Sequence, residues 1–243
     1  MNYCVIIPAR YQSSRLPGKP LIDLCGLPMI VRTYQQCIKA CPSERVFVAT
    51  DDERIRETCE LNGIQVIMTT SNCLTGTDRI AECAQYLDAD TFINVQGDEP
   101  LFNPNDLKTL IEAANKYPQE VLNGYCEIKE EALFRSSSIP KVVFRPDGRL
   151  LYMSRAAIPS NKKFGFETAW RQVCAYAFPR NALSDFSRTN QKTQLENIED
   201  IEILRFLELG WEVRMLELSS DSVAVDTLED IQSAETAILE RGL

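Results

Sequence analysis

Short apolar segments alternate with segments of helical periodicity through the first half of the chain, and no other feature constrains the fold as much. The strand-like runs are 3–8, 45–50, 64–69 and 91–96. Helical spacing of apolar residues covers 28–41, 51–61, 77–87 and 104–116. Strands this short and this apolar are typical of a parallel sheet that helices cover on both faces. The first half therefore predicts an α/β fold with a doubly wound, mostly parallel sheet.

The alternation loosens after about Leu122. Within the second half, Pro146-Asp147-Gly148 lies between two apolar runs and predicts a hairpin turn. No linker rich in Pro, Gly or Ser separates the two halves, so we predict one domain over 1–243 with a mixed-strand insertion near 123–190. The later segments are predicted strands at 121–128, 140–154 and 171–178, a helix at 196–209, a strand at 211–218 and a closing helix at 227–241.

The charge balance and the missing histidine exclude several function classes. The chain has 26 Lys and Arg against 35 Asp and Glu, a formal net charge of −9, and no His. Bulk charge therefore argues against nucleic acid or an anionic membrane as a partner, and an anionic substrate must meet clustered cations. Histidine bases, catalytic triads and histidine-bound metals are excluded, which leaves oxygen ligands and favours Mg²⁺ or a similar hard ion.

The cysteines indicate a reducing compartment. Nine of them are scattered without the paired CxxC spacing of a zinc or redox site, as small buried apolar residues would be. The sequence shows neither a signal peptide nor an apolar run of 18 residues. We expect a cytoplasmic protein.

Cations cluster in the loop that follows the first predicted strand. Arg10, Arg15, Gly18 and Lys19 lie in IPARYQSSRLPGKPL, where glycine lets the backbone approach a ligand and the cations offset negative charge. The spacing matches neither a Walker A loop nor a GxGxxG fingerprint. Ligands of open α/β sheets bind beyond the carboxyl ends of strands, so we interpret this loop as an oligophosphate site. The alternative is a set of solvated surface cations.

Two aspartates at predicted strand ends suit a divalent ion. Asp98 lies in NVQGDEP, after a predicted strand and Gly97, and Asp226 lies in VAVDTLEDI at the end of another apolar run. Carboxylates from two strand ends are what a Mg²⁺ ion between phosphates requires. Asp98 could instead form an Asx turn, and Asp226 or Thr227 could simply cap the last helix.

The segment TGTDR, Thr75 to Arg79, begins a predicted helix with a glycine, hydroxyl donors and a cation. The free N–H groups of a helix start can contact a base edge or a phosphate. An ordinary capped helix with a surface arginine explains the same residues.

Together these motifs resemble one family. IPARYxSxRLPGKPL, ATDDERI, GTDR, NVQGDEP, LLYMSRAAIP and VDTLEDI, in this order from Tyr3 to about Ala237, are similar to the 3-deoxy-manno-octulosonate (Kdo) cytidylyltransferases, the CMP-Kdo synthetases. The resemblance implies a Rossmann-like nucleotidyltransferase fold, a homodimer, and use of CTP and Mg²⁺. It also implies transfer of CMP to the anomeric hydroxyl of a 2-keto-3-deoxy sugar acid, with release of pyrophosphate, for lipopolysaccharide or capsule synthesis. The insertion near 123–190 would then carry sugar binding and dimerisation.

The resemblance also implies roles for individual residues. Arg10, Lys19 and Asp98 would be catalytic, and Asp98 and Asp226 would hold Mg²⁺. CTP would be bound by Pro8, Ala9, Arg10, Arg15, Lys19, Thr75, Gly76, Thr77 and Arg79. The sugar acid would be bound by Gln96, Arg155, Gln172, Tyr176 and Glu202.

Two positions depart from the family pattern and leave the sugar open. Gln172 stands where the family generally has a His, and Ile203 where it usually has a Gln. A lost polar partner at a site built for hydroxyls can change substrate preference strongly. The alternatives are therefore a modified acid such as 8-amino-Kdo, an NDP-sugar pyrophosphorylase, or a nucleotide-binding homologue without turnover.

Overall fold

The computed structural model describes residues 1–12, 16–188 and 191–243. Its strands are β1 (Tyr3–Pro8), β2 (Asp23–Leu24), β3 (Leu27–Pro28), β4 (Val46–Thr50), β5 (Gln65–Met68), β6 (Thr91–Val95), β7 (Val121–Ile128), β8 (Lys141–Phe144), β9 (Leu150–Ser154), β10 (Ala169–Pro179) and β11 (Val213–Glu217). Its α-helices are α1 (Met29–Ile38), α2 (Glu53–Leu61), α3 (Gly76–Cys83), α4 (Pro104–Lys116), α5 (Glu131–Arg135), α6 (Arg180–Phe186), α7 (Gln194–Glu199), α8 (Ile203–Glu208) and α9 (Leu228–Arg241).

The central sheet has the strand order β11-β7-β10-β6-β1-β4-β5. Strands β6, β1, β4 and β5 are parallel neighbours, whereas β10 runs antiparallel to both β6 and β7. Strands β8 and β9 extend the same sheet beside β10, so the predicted insertion near 123–190 contributes β7 and β10 to the main sheet. The carboxyl ends of β1, β4 and β6 consequently meet at one edge.

Helices cover both faces of this sheet. Val5 and Ile7 of β1 pack in one apolar cluster with Ile30 of α1 and Leu107 of α4. Alternate strand residues point to the other face, where Ile6 and Phe92 share a second cluster with Ile80 of α3 and Leu183 of α6. The predicted doubly wound, mostly parallel sheet is thus confirmed.

The hairpin and most of the predicted elements are found near their expected positions. Gly148 has φ +87° and donates its N–H to the Arg145 carbonyl across the turn between β8 and β9. The short pair β2 and β3 and helices α5 and α6 had no predicted counterpart.

The prediction of a single helix over 196–209 is wrong. The chain forms α7 and α8, which residues 200–202 separate. Asp200 has a left-handed φ of +52° and ends the first helix. Aspartate tolerates this conformation better than most residues. The break turns the start of α8, and with it Glu202, toward the sheet edge.

A third apolar cluster fixes the closing helix. Ala234 and Ile238 of α9 are buried with Leu24, Met29 and Val225. This packing holds the segment before α9 against the carboxyl edge of the sheet. None of the helices in the described part of the chain combines the length and apolar character that a membrane span needs.

Candidate active site

A cleft with a volume of about 340 Å³ opens at the carboxyl edge of the parallel strands. Its walls come from the loop after β1, the loop after β6, the start of α3, the segment around α7 and the segment before α9. This is the location that open α/β sheets favour for ligands. The predicted site residues that line it are Pro8, Ala9, Arg10, Lys19, Thr75, Gly76, Arg79, Gln96, Asp98, Glu202 and Asp226.

The loop after β1 folds back on itself before it reaches Lys19. Gly18 has φ +72°, donates its N–H to the Tyr11 carbonyl, and lies so close to the Tyr11 ring that a Cβ would come within 3.1 Å of it. Lys19 then begins a short 3₁₀ helix that ends at Leu21. The positive φ therefore favours glycine at this position, and any larger residue would also crowd the Tyr11 ring. Arg15, predicted to contact phosphate, lies outside the described residues.

The loop after β6 passes close to the end of β1. A Cβ on Gly97 would lie 2.7 Å from the Pro8 carbonyl oxygen, so only glycine fits. Asp98 follows, and its carbonyl accepts a hydrogen bond from the N–H of Val225 at 2.9 Å. Because of this bond, Asp98 and Asp226 lie together although they are far apart in sequence.

Lys19 lies between these two aspartates. Its Nζ donates to Asp98 Oδ2 at 2.6 Å and to Asp226 Oδ1 at 3.0 Å. Burial by itself would lower the pKa of Lys19, but the charges and hydrogen bonds of the two carboxylates outweigh burial, and the pKa is raised above its usual value. The ammonium is therefore held in its charged form.

The two carboxylates fit a divalent ion. Within the described ranges no three acidic or cysteine side chains converge as a metal cluster. Mg²⁺, however, is commonly bound through one or two carboxylates together with substrate phosphates and water. Asp98 and Asp226 converge on a single cation, so this donor set suits such an ion.

Helix α3 begins at the cleft with a reciprocal cap. The Thr75 hydroxyl accepts from the Asp78 N–H while the Asp78 carboxylate accepts from the Thr75 N–H. The N–H of Thr77, in the first turn of the helix, donates to Glu202 Oε2 at 3.0 Å. Burial raises the pKa of the Glu202 carboxyl, against the hydrogen bonds from Thr77, which lower it.

Arg79 is less accessible to a ligand than the sequence indicated. Its side chain is buried, with Nη2 3.3 Å from Asp51 Oδ1 and a hydrogen bond from Nη1 to the Thr69 hydroxyl. The guanidinium thus fixes α3 to the loops after β4 and β5. Arg79 borders the cleft, but both of its terminal nitrogens already have a partner within the protein.

Three predicted sugar-binding residues do not line the cleft. Gln172 is buried and donates from Nε2 to Asn123 Oδ1 at 3.0 Å and to the Tyr176 hydroxyl at 3.3 Å. Burial holds the pKa of Tyr176 well above its usual value. Arg155 donates to backbone carbonyls, including those of Glu199 at 2.6 Å and Asp200 at 3.0 Å.

Ile203, where the family usually has a polar residue, lies in the core. Only 1% of it is exposed, and it belongs to the apolar cluster that covers one face of the sheet. The position therefore does not face the cleft, although its neighbour Glu202 does.

The sequence reasoning missed several charged residues around the cleft. Lys192 pairs with Asp200 at one wall. Glu196 of α7 lies behind the same wall, and Arg205 binds its carboxylate. Glu99, next to Asp98, is buried and bonded to the Ser222 hydroxyl; burial raises its pKa to about 7. Glu99 is part of the NVQGDEP motif, but the sequence did not indicate that its side chain is buried.

Comparisons with known proteins agree over nearly the whole chain. The sequence model of the cytidylyltransferase family matches residues 4–217. The chain is 40% identical over 248 residues to a 3-deoxy-manno-octulosonate cytidylyltransferase from Trichlorobacter lovleyi, with 97% of this chain and 98% of the relative covered. It is 37% identical over 243 residues to an 8-amino-3,8-dideoxy-manno-octulosonate cytidylyltransferase from Shewanella halifaxensis, with 98% and 99% covered.

A solved structure extends the similarity to three dimensions. The fold superposes with a TM-score of 0.92 and 33% identity on a CMP:2-keto-3-deoxy-manno-octonic acid synthetase complexed with CTP, and all of both chains is covered.

Proposed function

The chain belongs to the cytidylyltransferase family, and we propose that it transfers CMP from CTP to the anomeric hydroxyl of Kdo or a closely related 2-keto-3-deoxy sugar acid, with release of pyrophosphate. Membership confirms the resemblance drawn from the sequence motifs. The observation that carries the proposal is the meeting of Arg10, Lys19, Asp98, Asp226 and the start of α3 in one cleft. A cation-bearing loop beside paired carboxylates is suited to a nucleoside triphosphate.

Arg10 and Lys19 are proposed to bind the CTP phosphates. Both line the cleft on the loop after β1, where Gly18 fixes the path of the chain. Charge-assisted bonds to phosphate are the strongest class available to such residues. The start of α3, from Thr75 to Arg79, is proposed to contact the cytidine.

Asp98 and Asp226 are proposed to hold Mg²⁺. When bound, the ion neutralises phosphate charge and orients the transferring group. The protein's own contribution is to hold the two carboxylates at one point through the bond between Val225 and Asp98. Glu99, buried beside them, adds a polar group that the family motif had not singled out.

Apart from the metal, the protein would accelerate the reaction by positioning the two substrates and by stabilising charge. The sugar hydroxyl attacks the α-phosphorus in line, and fixed cations stabilise the charge that develops in the transition state. The hydroxyl must also lose a proton. Since the chain has no histidine, the carboxylates of the cleft are the available proton acceptors.

Gln96 and Glu202 are proposed to contact the sugar acid directly, since both line the cleft. Gln172 would orient the Tyr176 hydroxyl from behind, and Arg155 would fix the wall around Asp200. The second candidate substrate is 8-amino-Kdo, and the similarity to the 8-amino-3,8-dideoxy-manno-octulosonate cytidylyltransferase from Shewanella halifaxensis supports it. We further propose a cytoplasmic homodimer that serves lipopolysaccharide or capsule synthesis.

Pyrophosphate release tests this function. The protein is incubated with Mg²⁺ and CTP, UTP, GTP or ATP. Each nucleotide is combined with a panel of 2-keto sugar acids that includes Kdo and 8-amino-Kdo, and separately with a sugar 1-phosphate. We expect release only with CTP and with one of these two acids. Release with a sugar 1-phosphate and UTP instead would indicate an NDP-sugar pyrophosphorylase. No release with any pair would indicate a homologue without turnover.

A further inference from the structure

Lys19 forms ion pairs with two carboxylates, which a residue that only binds phosphate would not require. Its ammonium lies 2.6 Å from Asp98 and 3.0 Å from Asp226, and only 15% of its side chain is exposed. These are the two carboxylates assigned to the divalent ion. Lys19 therefore takes the position of a cation between them.

We propose that Lys19 is a placeholder cation: its ammonium keeps Asp98 and Asp226 together in the nucleotide-free protein and competes with the divalent ion for both carboxylates. This inference rests on the proposed function, because it takes these aspartates as the metal ligands. It assigns Lys19 a positioning role before CTP arrives, in addition to its contact with phosphate.

Electrostatics explain why a placeholder is needed. Two carboxylates converging on one point repel each other, and the cost grows as burial reduces screening by water. Buried Glu99 adjoins Asp98 and adds a further acidic group. The single charge of the ammonium offsets part of this repulsion. A divalent ion offsets more, but it must first displace two charge-assisted hydrogen bonds.

The geometry allows the ammonium to switch partners. The backbone of Lys19 is fixed on both sides: its N–H donates to the Leu16 carbonyl at 3.2 Å, and its carbonyl accepts from the Ile22 N–H at 3.2 Å. Its four-carbon side chain is flexible, so Nζ can move without any change in the loop. The triphosphate offers Lys19 a new set of anionic oxygens in the same cleft. Binding of nucleotide therefore frees the carboxylates, and the affinities for metal and CTP become coupled.

Direct metal binding tests the proposal. Mn²⁺ is titrated into the nucleotide-free protein, and free Mn²⁺ is followed by electron paramagnetic resonance. Lys19→Met, which keeps the length of the side chain and removes the charge, should bind Mn²⁺ about tenfold to a hundredfold more tightly than the wild type, since two charge-assisted bonds no longer compete. Addition of Asp98→Asn should abolish the gain and so locate the ion.

Arg10→Met is the matched control. It removes one positive charge from the same cleft. A general field effect would raise Mn²⁺ affinity equally in both variants, and that result would overturn the placeholder role. An unchanged or weaker affinity in Lys19→Met would overturn it as well. Lys19→Gln provides a second variant, judged in the same way, if Lys19→Met does not fold by circular dichroism.

Nucleotide gives an independent readout. In the wild type, CTP without any sugar acid should raise the affinity for Mn²⁺. In Lys19→Met the increase caused by CTP should be smaller, because the variant already binds Mn²⁺ more tightly without CTP. The reduction should be about the same factor as that gain in affinity. An equal increase in both proteins would contradict the competition. None of these measurements depends on the sugar acid. Failure of the placeholder is thus separable from failure of the proposed transfer reaction.

Discussion

Replacing Arg205 by Met should destabilise the protein strongly, because the side chain neutralises two acidic groups inside the fold. The Arg205 side chain is 1% exposed, that of Glu196 is not exposed at all, and that of Asp78 is 13% exposed. Arg205 donates to both Glu196 oxygens, at 2.6 and 2.7 Å, and to Asp78 Oδ1 at 3.3 Å. Its guanidinium also lies 3.7 Å over the Phe186 ring.

The expected loss follows from the charge that is left behind. Methionine retains most of the apolar packing against Phe186 but leaves Glu196 buried without its cation. Breaking a buried ion pair by removing one partner costs about 3–5 kcal/mol. For a chain of this size, that corresponds to a fall of about 10 °C in the midpoint of thermal unfolding.

Urea unfolding followed by circular dichroism measures the effect. Glu196→Gln in the Arg205→Met background should recover about half of the loss, because it removes the unpaired charge. Arg188→Ala is the matched control: this arginine pairs with Asp185 at 2.9 Å but is 75% exposed, so stability should not change measurably. A loss below about 1 kcal/mol in Arg205→Met would refute the reasoning, since buried pairs should cost several times more.

Three further predictions concern the cleft and its walls. Asp98→Asn should reduce pyrophosphate release on the order of a thousandfold with an unchanged circular dichroism spectrum; near-normal rates would remove Asp98 from the metal site. Ile203→Gln should cost about 2 kcal/mol in urea unfolding, because the amide would be buried in an apolar cluster; a stable variant with a new sugar preference would instead place this residue at the sugar. Glu199 accepts from Ser154 at 2.6 Å and from the Arg155 N–H at 2.8 Å, and although burial opposes them, its hydrogen bonds lower its pKa. Its contribution to stability should therefore be present above the ordinary glutamate pKa and disappear as the pH falls through the lowered value. Unfolding curves of Glu199→Gln and wild type should converge in acid, and a constant difference between them would contradict this assignment.

The motifs alone identified the family and most of the cleft. The alternation of short apolar strands with helices predicts a doubly wound sheet, and such a sheet brings its strand ends to one edge. Residues in the loops after β1 and β6, including Arg10, Lys19 and Asp98, could therefore be assigned to the site without coordinates. Their position depends on local periodicity, which the sequence carries.

The residues far from a strand end were harder to place. The helical period through 196–209 continues across Asp200, and no local signal shows that this residue takes a left-handed conformation. The break decides that Glu202 faces Thr77 while Ile203 enters the core. An assignment by family position alone had put both residues at the sugar.

Only the tertiary structure decides which side chains pair with each other within the cleft. The sequence predicted one site for Lys19 and the two aspartates, because Lys19 and Asp98 lie in loops after predicted strands and Asp226 ends an apolar run. It could not determine that Lys19 pairs with Asp98 and Asp226, since this contact depends on how α9 packs and on the bond between Val225 and Asp98. Periodicity fixes which residues reach an edge of the sheet, whereas long-range packing fixes which side chains meet there.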